Sequence, residues 1–183
     1  MRLIAVGAAV LLSSCGFLAG PVSPLISAAR SGDIAKIREL AAAGADLDEP
    51  GGVNGWTPLM HAIHKDQAAS VKALLEMGSD VNLHAGGTTA LIMAAAYGYA
   101  DIVRELLEHG ADTRATARDG STALEAALGG SLDIDRITAG QCQTETVRAI
   151  VESDPTVRVN EESPAFKTAI RAGCREELAL LAQ

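Results

Sequence analysis

His61 and His64 have the spacing closest to metal chemistry, because two imidazoles three residues apart share one face of any helix that carries them. No Cys, Asp, Glu or further His is forced near them by spacing, so the pair is read as His61 partly packed and His64 at the surface. The chain contains no nucleophile elbow, no phosphate-binding glycine loop and no HExxH helix. Gly51-Gly52 and Gly86-Gly87 read as turn residues, and no residue is assigned a catalytic, metal or cofactor role. The net charge of −8, with no stripe of Lys and Arg to displace counterions from a phosphate backbone, argues against nucleic acid. What remains is the chemistry of recognition and that of three thiols, Cys15, Cys142 and Cys174.

The elements that must position these groups are short and repeated. Residues 87–113 contain a helix-opening Thr89, a small-residue run Ala94 to Ala96 and a break at Gly98. A second apolar stripe, Ile102, Val103, Leu106 and Leu107, ends at Gly110. Each predicted helix is about two turns long and too short to be stable alone, so the unit must stack on copies of itself to bury its apolar face. With 183 residues there is room for one domain, and 48% hydrophobic with only 3% aromatic residues suits short helices packed closely through Ala, Leu, Ile and Val. Aligned leucines and their last counterpart fall at Leu25, Leu59, Leu91, Leu124 and Phe166, spaced by 34, 32, 33 and 42 residues. Thr57, Thr89 and Thr122 are suited to cap the first helix of their units, with Pro58 at a position that needs no N–H. Gly44, Gly78 and Gly110 are suited to end the second.

A period near 33 with Gly55-Trp56-Thr57-Pro58-Leu59, Gly87-Thr88-Thr89-Ala90-Leu91 and Gly120-Ser121-Thr122-Ala123-Leu124 resembles the ankyrin repeat. So do the second-helix endings Ala43-Gly44-Ala45-Asp46, Met77-Gly78-Ser79-Asp80 and His109-Gly110-Ala111-Asp112. The resemblance implies an all-α solenoid of helix-turn-helix units joined by β-hairpin-like loops, with about five repeats over residues 25–183. The first unit lacks a Thr-Pro motif and the last matches weakly, as terminal caps do. The fourth carries eleven extra residues within 129–144, counted from Leu124 to Val147 against Leu91 to Val103. The His that follows the Leu in ankyrin repeats is replaced by Met60, Ile92 and Glu125, which removes its hydrogen bond to the neighbouring turn.

The ankyrin resemblance also implies a non-enzymatic, monomeric protein-binding module that works through hairpin tips and the concave face of the first helices. Those positions are Trp56, His64, Lys65, His84, Thr88, Tyr97, Arg118 and Ser121. Trp, Tyr and Arg are the side chains most often found as interface anchors, and Trp56 is the only Trp in the chain. The competing role for Trp56 is packing flat on its own hairpin.

At the N-terminus one Arg precedes ten uncharged residues, Leu3 to Leu12, too few to span a bilayer but enough for the apolar core of a secretory signal. Leu12-Ser13-Ser14-Cys15 is similar to the bacterial lipobox, in which the cysteine is acylated and becomes the new N-terminus. That resemblance implies a signal peptide at 1–14, lipidation at Cys15, a tether at 15–24 and a domain in the periplasm. Gly16, in place of the Asp that marks inner-membrane retention, favours the outer membrane. An ordinary cleaved signal is the alternative, and it exports the chain equally. The expected role is neutralising another envelope protein, as an immunity lipoprotein does, or scaffolding an envelope enzyme. Once Cys15 carries lipid, Cys142 and Cys174 are an even pair in an exported chain, and both precede the second helix of adjacent units. A disulfide between them requires the insertion to lean toward the last unit, since stacked helices lie about 10 Å apart and bridged Cα atoms within about 7 Å. The alternative is two separate thiols.

Overall fold

The computed structural model describes residues 22–130, 132–133 and 136–182. The expected signal peptide, Cys15 and the tether up to residue 21 lie outside the described residues. Ten α-helices are described, in five pairs: α1 (Pro24–Ser31) with α2 (Ile34–Ala42), α3 (Pro58–His64) with α4 (Ala68–Glu76), α5 (Ala90–Tyr97) with α6 (Ala100–Glu108), α7 (Ala123–Gly129) with α8 (Thr144–Ser153), and α9 (Pro164–Ala172) with α10 (Arg175–Leu180). The first helices form one layer, each packed on the next, and the second helices form another behind them. No helix among the described residues is long and apolar enough to cross a membrane.

All five first helices open on one device. The hydroxyls of Ser23, Thr57, Thr89, Thr122 and Ser163 accept a hydrogen bond from the backbone N–H three residues on, satisfying a donor the helix leaves orphaned. Thr122 adds the reciprocal bond from Glu125 that completes a capping box. The terminal units therefore do not lack the motif: Ser23-Pro24 and Ser163-Pro164 do what Thr57-Pro58 does, with Pro at the start of the helix in all three. Counted from these caps, Pro24 belongs to the first repeat rather than to a tether, and Ala165, not Phe166, matches Leu59.

The middle helix α5 has a neighbouring first helix on each side and α6 behind it, so Ala90 to Ala95 are all buried. The second helices bury one stripe, Ile102, Val103 and Leu106 in α6, and expose the other face. Along that outer face Lys72 pairs with Glu105 at 3.4 Å, Arg104 with Glu145 at 3.1 Å and Arg148 with Glu176 at 2.7 Å, joining α4 to α6, α6 to α8 and α8 to α10. Exposed pairs of this kind contribute little each, about 0–1 kcal/mol. Between units, carboxylate and amide side chains stitch the turns together: Asp48 accepts from the Asp80 N–H at 3.0 Å, and Asn82 accepts from the Asp112 N–H at 2.8 Å.

The insertion has a structure of its own. It forms a two-stranded antiparallel ladder, β1 (Leu132–Asp133) with β2 (Arg136–Ile137), which the repeat pattern does not foreshadow. The chain then returns to the centre of the stack. The Thr138 hydroxyl donates to the Ala96 carbonyl at 2.6 Å, and the Gln143 side-chain amide donates to the same oxygen at 3.3 Å. That carbonyl belongs to the last turn of α5, where no intrahelical donor is left for it. Cys142 and Cys174 are joined by a disulfide with Cα atoms 5.3 Å apart. The insertion thereby ties unit three to unit five across unit four.

Candidate functional site

The inter-unit loops are hairpins whose closing pairs are Gly51 with Trp56, Ala85 with Thr88, and Thr116 with Thr122. The middle one turns on Gly86 and Gly87 with φ of 61° and 87°, a two-residue turn that glycine adopts without strain. These glycines also make room. A methyl group at Gly86 would lie 2.5 Å from Trp56 Cδ1, and one at Gly87 would lie 3.2 Å from Arg118 Nε. The indole of unit two and the guanidinium of unit four thus flank the bare backbone of one tip. The Arg118 N–H donates to the Gly87 carbonyl at 2.8 Å, locking the two hairpins in register. Arg118 is exposed, and no described carboxylate lies within ion-pair distance of it.

Behind this row runs a chain of rings. Trp56 sits 5.1 Å from His64 and 5.7 Å from His61, His64 lies 5.9 Å from Tyr97, and Tyr97 meets Tyr99 edge-on at 5.7 Å. Tilted and edge-to-face pairs at these distances are the preferred aromatic geometries. Two of the rings are pinned by hydrogen bonds, His61 Nε2 to the Gly51 carbonyl at 3.1 Å and His64 Nδ1 to the Tyr97 hydroxyl at 3.0 Å. Burial pushes the His61 imidazole below its ordinary pKa, partly countered by the bond to Gly51. With one nitrogen of each ring so engaged, the histidines hold the tip in place. His61 also restores, one residue later and to its own hairpin, a bond that Met60 is unable to make.

The eight recognition positions therefore separate. Trp56, His64, Thr88 and Ser121 are half-buried, Lys65 is half-buried at the end of α3, and His84 and Arg118 are exposed. Tyr97 is corrected: it is 5% exposed, and it supports His64 from within the stack instead of lining an open surface with Trp56. Ser121 is held by Asp119, to which its hydroxyl donates at 2.6 Å. This bond and the Ser121 N–H hold the Asp119 carboxyl below the usual carboxylate range.

Two recesses adjoin the row. One of about 230 Å³ is lined by Arg30, Gly52, Val53, Asn54, Trp56 and His64, with Val53 78% exposed at its lip. Arg30 is not among the eight positions read from the sequence, although, counted from the helix caps, it stands seven residues after Ser23 as His64 does after Thr57. The other, about 780 Å³, lies between α5, α7 and α9 and is bordered by Asp119, Glu125 and Glu162. The face is thus aromatic and cationic toward the first units and acidic toward the last.

Two family models match, ankyrin repeats (3 copies) over residues 5–85 and ankyrin repeats (many copies) over residues 83–127. The chain belongs to the ankyrin-repeat family, whose members are typically protein-interaction modules without enzymatic activity. It is 41% identical over 69 residues to the mouse ankyrin repeat and SAM domain-containing protein 6, covering 37% of this chain and 8% of that protein. It is 45% identical over 56 residues to the ankyrin repeat protein nuc-2 of Neurospora crassa, covering 30% of this chain and 5% of that protein. The chain spans less than a tenth of the length of these relatives, so the likeness is one of repeats.

Proposed function

We propose that the chain binds a protein partner through the hairpin row from Trp56 across Gly86-Gly87 to Arg118. The observation that carries this reading is the pair of bare glycines flanked by the Trp56 indole, which His61 and His64 back, and by the exposed Arg118 guanidinium. Aromatic rings lose little rotamer entropy on binding, and Trp, Tyr and Arg are the usual anchors of interfaces. Truncating Trp56 to Ala should weaken partner binding by about 1–3 kcal/mol, roughly 5- to 150-fold. Capture of partners from envelope extract, followed by titration against the wild type and Trp56→Ala, measures this. An unchanged affinity would move the interface elsewhere, and a melting temperature that collapses with the affinity would reassign Trp56 to packing.

The proposed setting is the bacterial envelope, with Cys15 lipidated, the outer membrane as the site of anchoring and the repeats in the periplasm. Support comes from Leu12-Ser13-Ser14-Cys15 after an uncharged decamer. Cys15→Ala should shift the protein out of the detergent-soluble membrane fraction. A wild-type chain that is already soluble, with an unmodified N-terminus, would sink the idea. Within that setting the module neutralises a protein that is harmful in the envelope. A captured partner whose toxicity the chain cancels fits this role, whereas a resident envelope enzyme assigns it to scaffolding.

A further inference from the structure

The disulfide has a third member. Cys142, Cys174 and Glu177 place their ligand atoms within 4.8 Å of one another. Cys174 is 4% exposed and Glu177 1% exposed, and Glu177 Oε1 has no hydrogen-bond partner among the described residues. A buried carboxyl oxygen without a partner is rare, because it forfeits its hydration and receives nothing in return. Local structure gives it no other work. Glu177 stands three residues after Cys174, the spacing at which a glutamate reaches back to cap a helix, but the Cys174 N–H already donates to the Ala169 carbonyl at 3.1 Å. Counted from the residue before each second helix, Glu177 takes the inward position that Ser70, Ile102 and Thr146 fill elsewhere, so the fold itself drives the carboxyl toward the disulfide.

We infer that Cys142, Cys174 and Glu177 form a binding site for zinc, or another divalent ion of similar softness, in the reduced chain. The inference is independent of the partner-binding reading. Reduction by a dithiol passes two electrons and two protons to the pair: the S–S bond breaks, two protein thiols form, and the reductant is left as its own disulfide. A divalent ion then displaces the two thiol protons and is held by two thiolates and one carboxylate, leaving one position of a tetrahedron open. Zinc takes sulfur at about 2.3 Å and carboxylate oxygen at about 2.0–2.2 Å, which a cluster of this diameter accommodates once the sulfurs separate. Two thiolates select a soft ion over magnesium or calcium. The ion would supply the partner that Glu177 Oε1 lacks among the described residues of the oxidised form, and it would replace the covalent tie between insertion and cap with a coordinate one.

Cobalt(II) is the probe, added to the full chain carrying Cys15→Ser so that only this pair of thiols responds, after reduction with a phosphine under nitrogen. The expected result is one cobalt per chain with thiolate-to-cobalt charge-transfer absorption, displaced by zinc and absent from the oxidised chain. Glu177→Gln, checked by its ability to form the disulfide, should weaken binding at least about tenfold. No charge-transfer band from the reduced chain, or equal affinity in Glu177→Gln, would overturn the site. If that variant does not fold, alkylation of the parent decides. Zinc should slow modification of both thiols, and an unchanged rate overturns the assignment.

Discussion

Replacing Cys142 with Ser is expected to lower the stability of the oxidised chain by about 3–4 kcal/mol, the entropy that a cross-link across a separation of 32 residues removes from the unfolded state. The loss should be uneven. Each repeat is stabilised mainly by its neighbours, and the last has a neighbour on one side only. In α9 just Ala169 is fully buried, against seven residues of α5, so the fifth unit contributes little core of its own. Hydrogen exchange should therefore rise first in α9 and α10, while α3 to α6 keep most of their protection. Urea denaturation of the wild type with and without reductant, beside the variant, measures the size of the effect. Equal midpoints in all three would mean that the bridge does not constrain the unfolded chain.

Gly130→Ala is expected to cost about 3 kcal/mol, of which roughly 1–3 is backbone strain. Its φ of 69° and ψ of −172° lie in a region open essentially to glycine alone. A methyl group there would sit 2.5 Å from the Thr138 carbonyl carbon and 2.7 Å from the Ala139 nitrogen, and closest of all to the Thr138 carbonyl oxygen. The opposing backbone is unable to retreat cheaply, because the Thr138 hydroxyl is engaged on Ala96. Gly140→Ala is the control. Its φ of 76° is also positive, but nothing stands within 4 Å of the added methyl, so about 1 kcal/mol is expected. Equal losses at the two positions in urea melts would show that the insertion is not held against the end of α7.

Much of this architecture was legible because its determinants are local. A hydroxyl before a helix and a glycine after it act over three or four residues, and their recurrence at a period near 33 identifies each unit without any knowledge of its neighbours. Ser23-Pro24 and Ser163-Pro164 carry the same local signal as Thr57-Pro58, because a serine hydroxyl caps a helix as a threonine hydroxyl does. The site was less legible for the opposite reason. Tyr97 reads as a surface aromatic at the end of a helix, and its burial depends on contact with His64, thirty-three residues earlier. The β1–β2 ladder is local, but the return of the insertion to Ala96 rests on contacts that cross from unit four to unit three. Glu177 carried a signal, since the repeat alignment puts it on an inward position, but the meaning of a buried carboxylate appears only when Cys142 arrives beside it from the insertion.

The clamp gives the array a direction. A stack held only by nearest neighbours loosens from either end with comparable ease. Here the insertion links units three, four and five through Ala96 and, covalently, Cys174, while among the described residues units one and two meet their neighbours through packing, turn hydrogen bonds, the His64–Tyr97 bond and the exposed Lys72–Glu105 pair, with no covalent tie. Mechanically the protein is a spring of graded stiffness, firm over its last three coils and compliant over its first two. The Trp56 to Arg118 row lies across the boundary between the two regimes, so a load applied there would be taken up as bending on the N-terminal side.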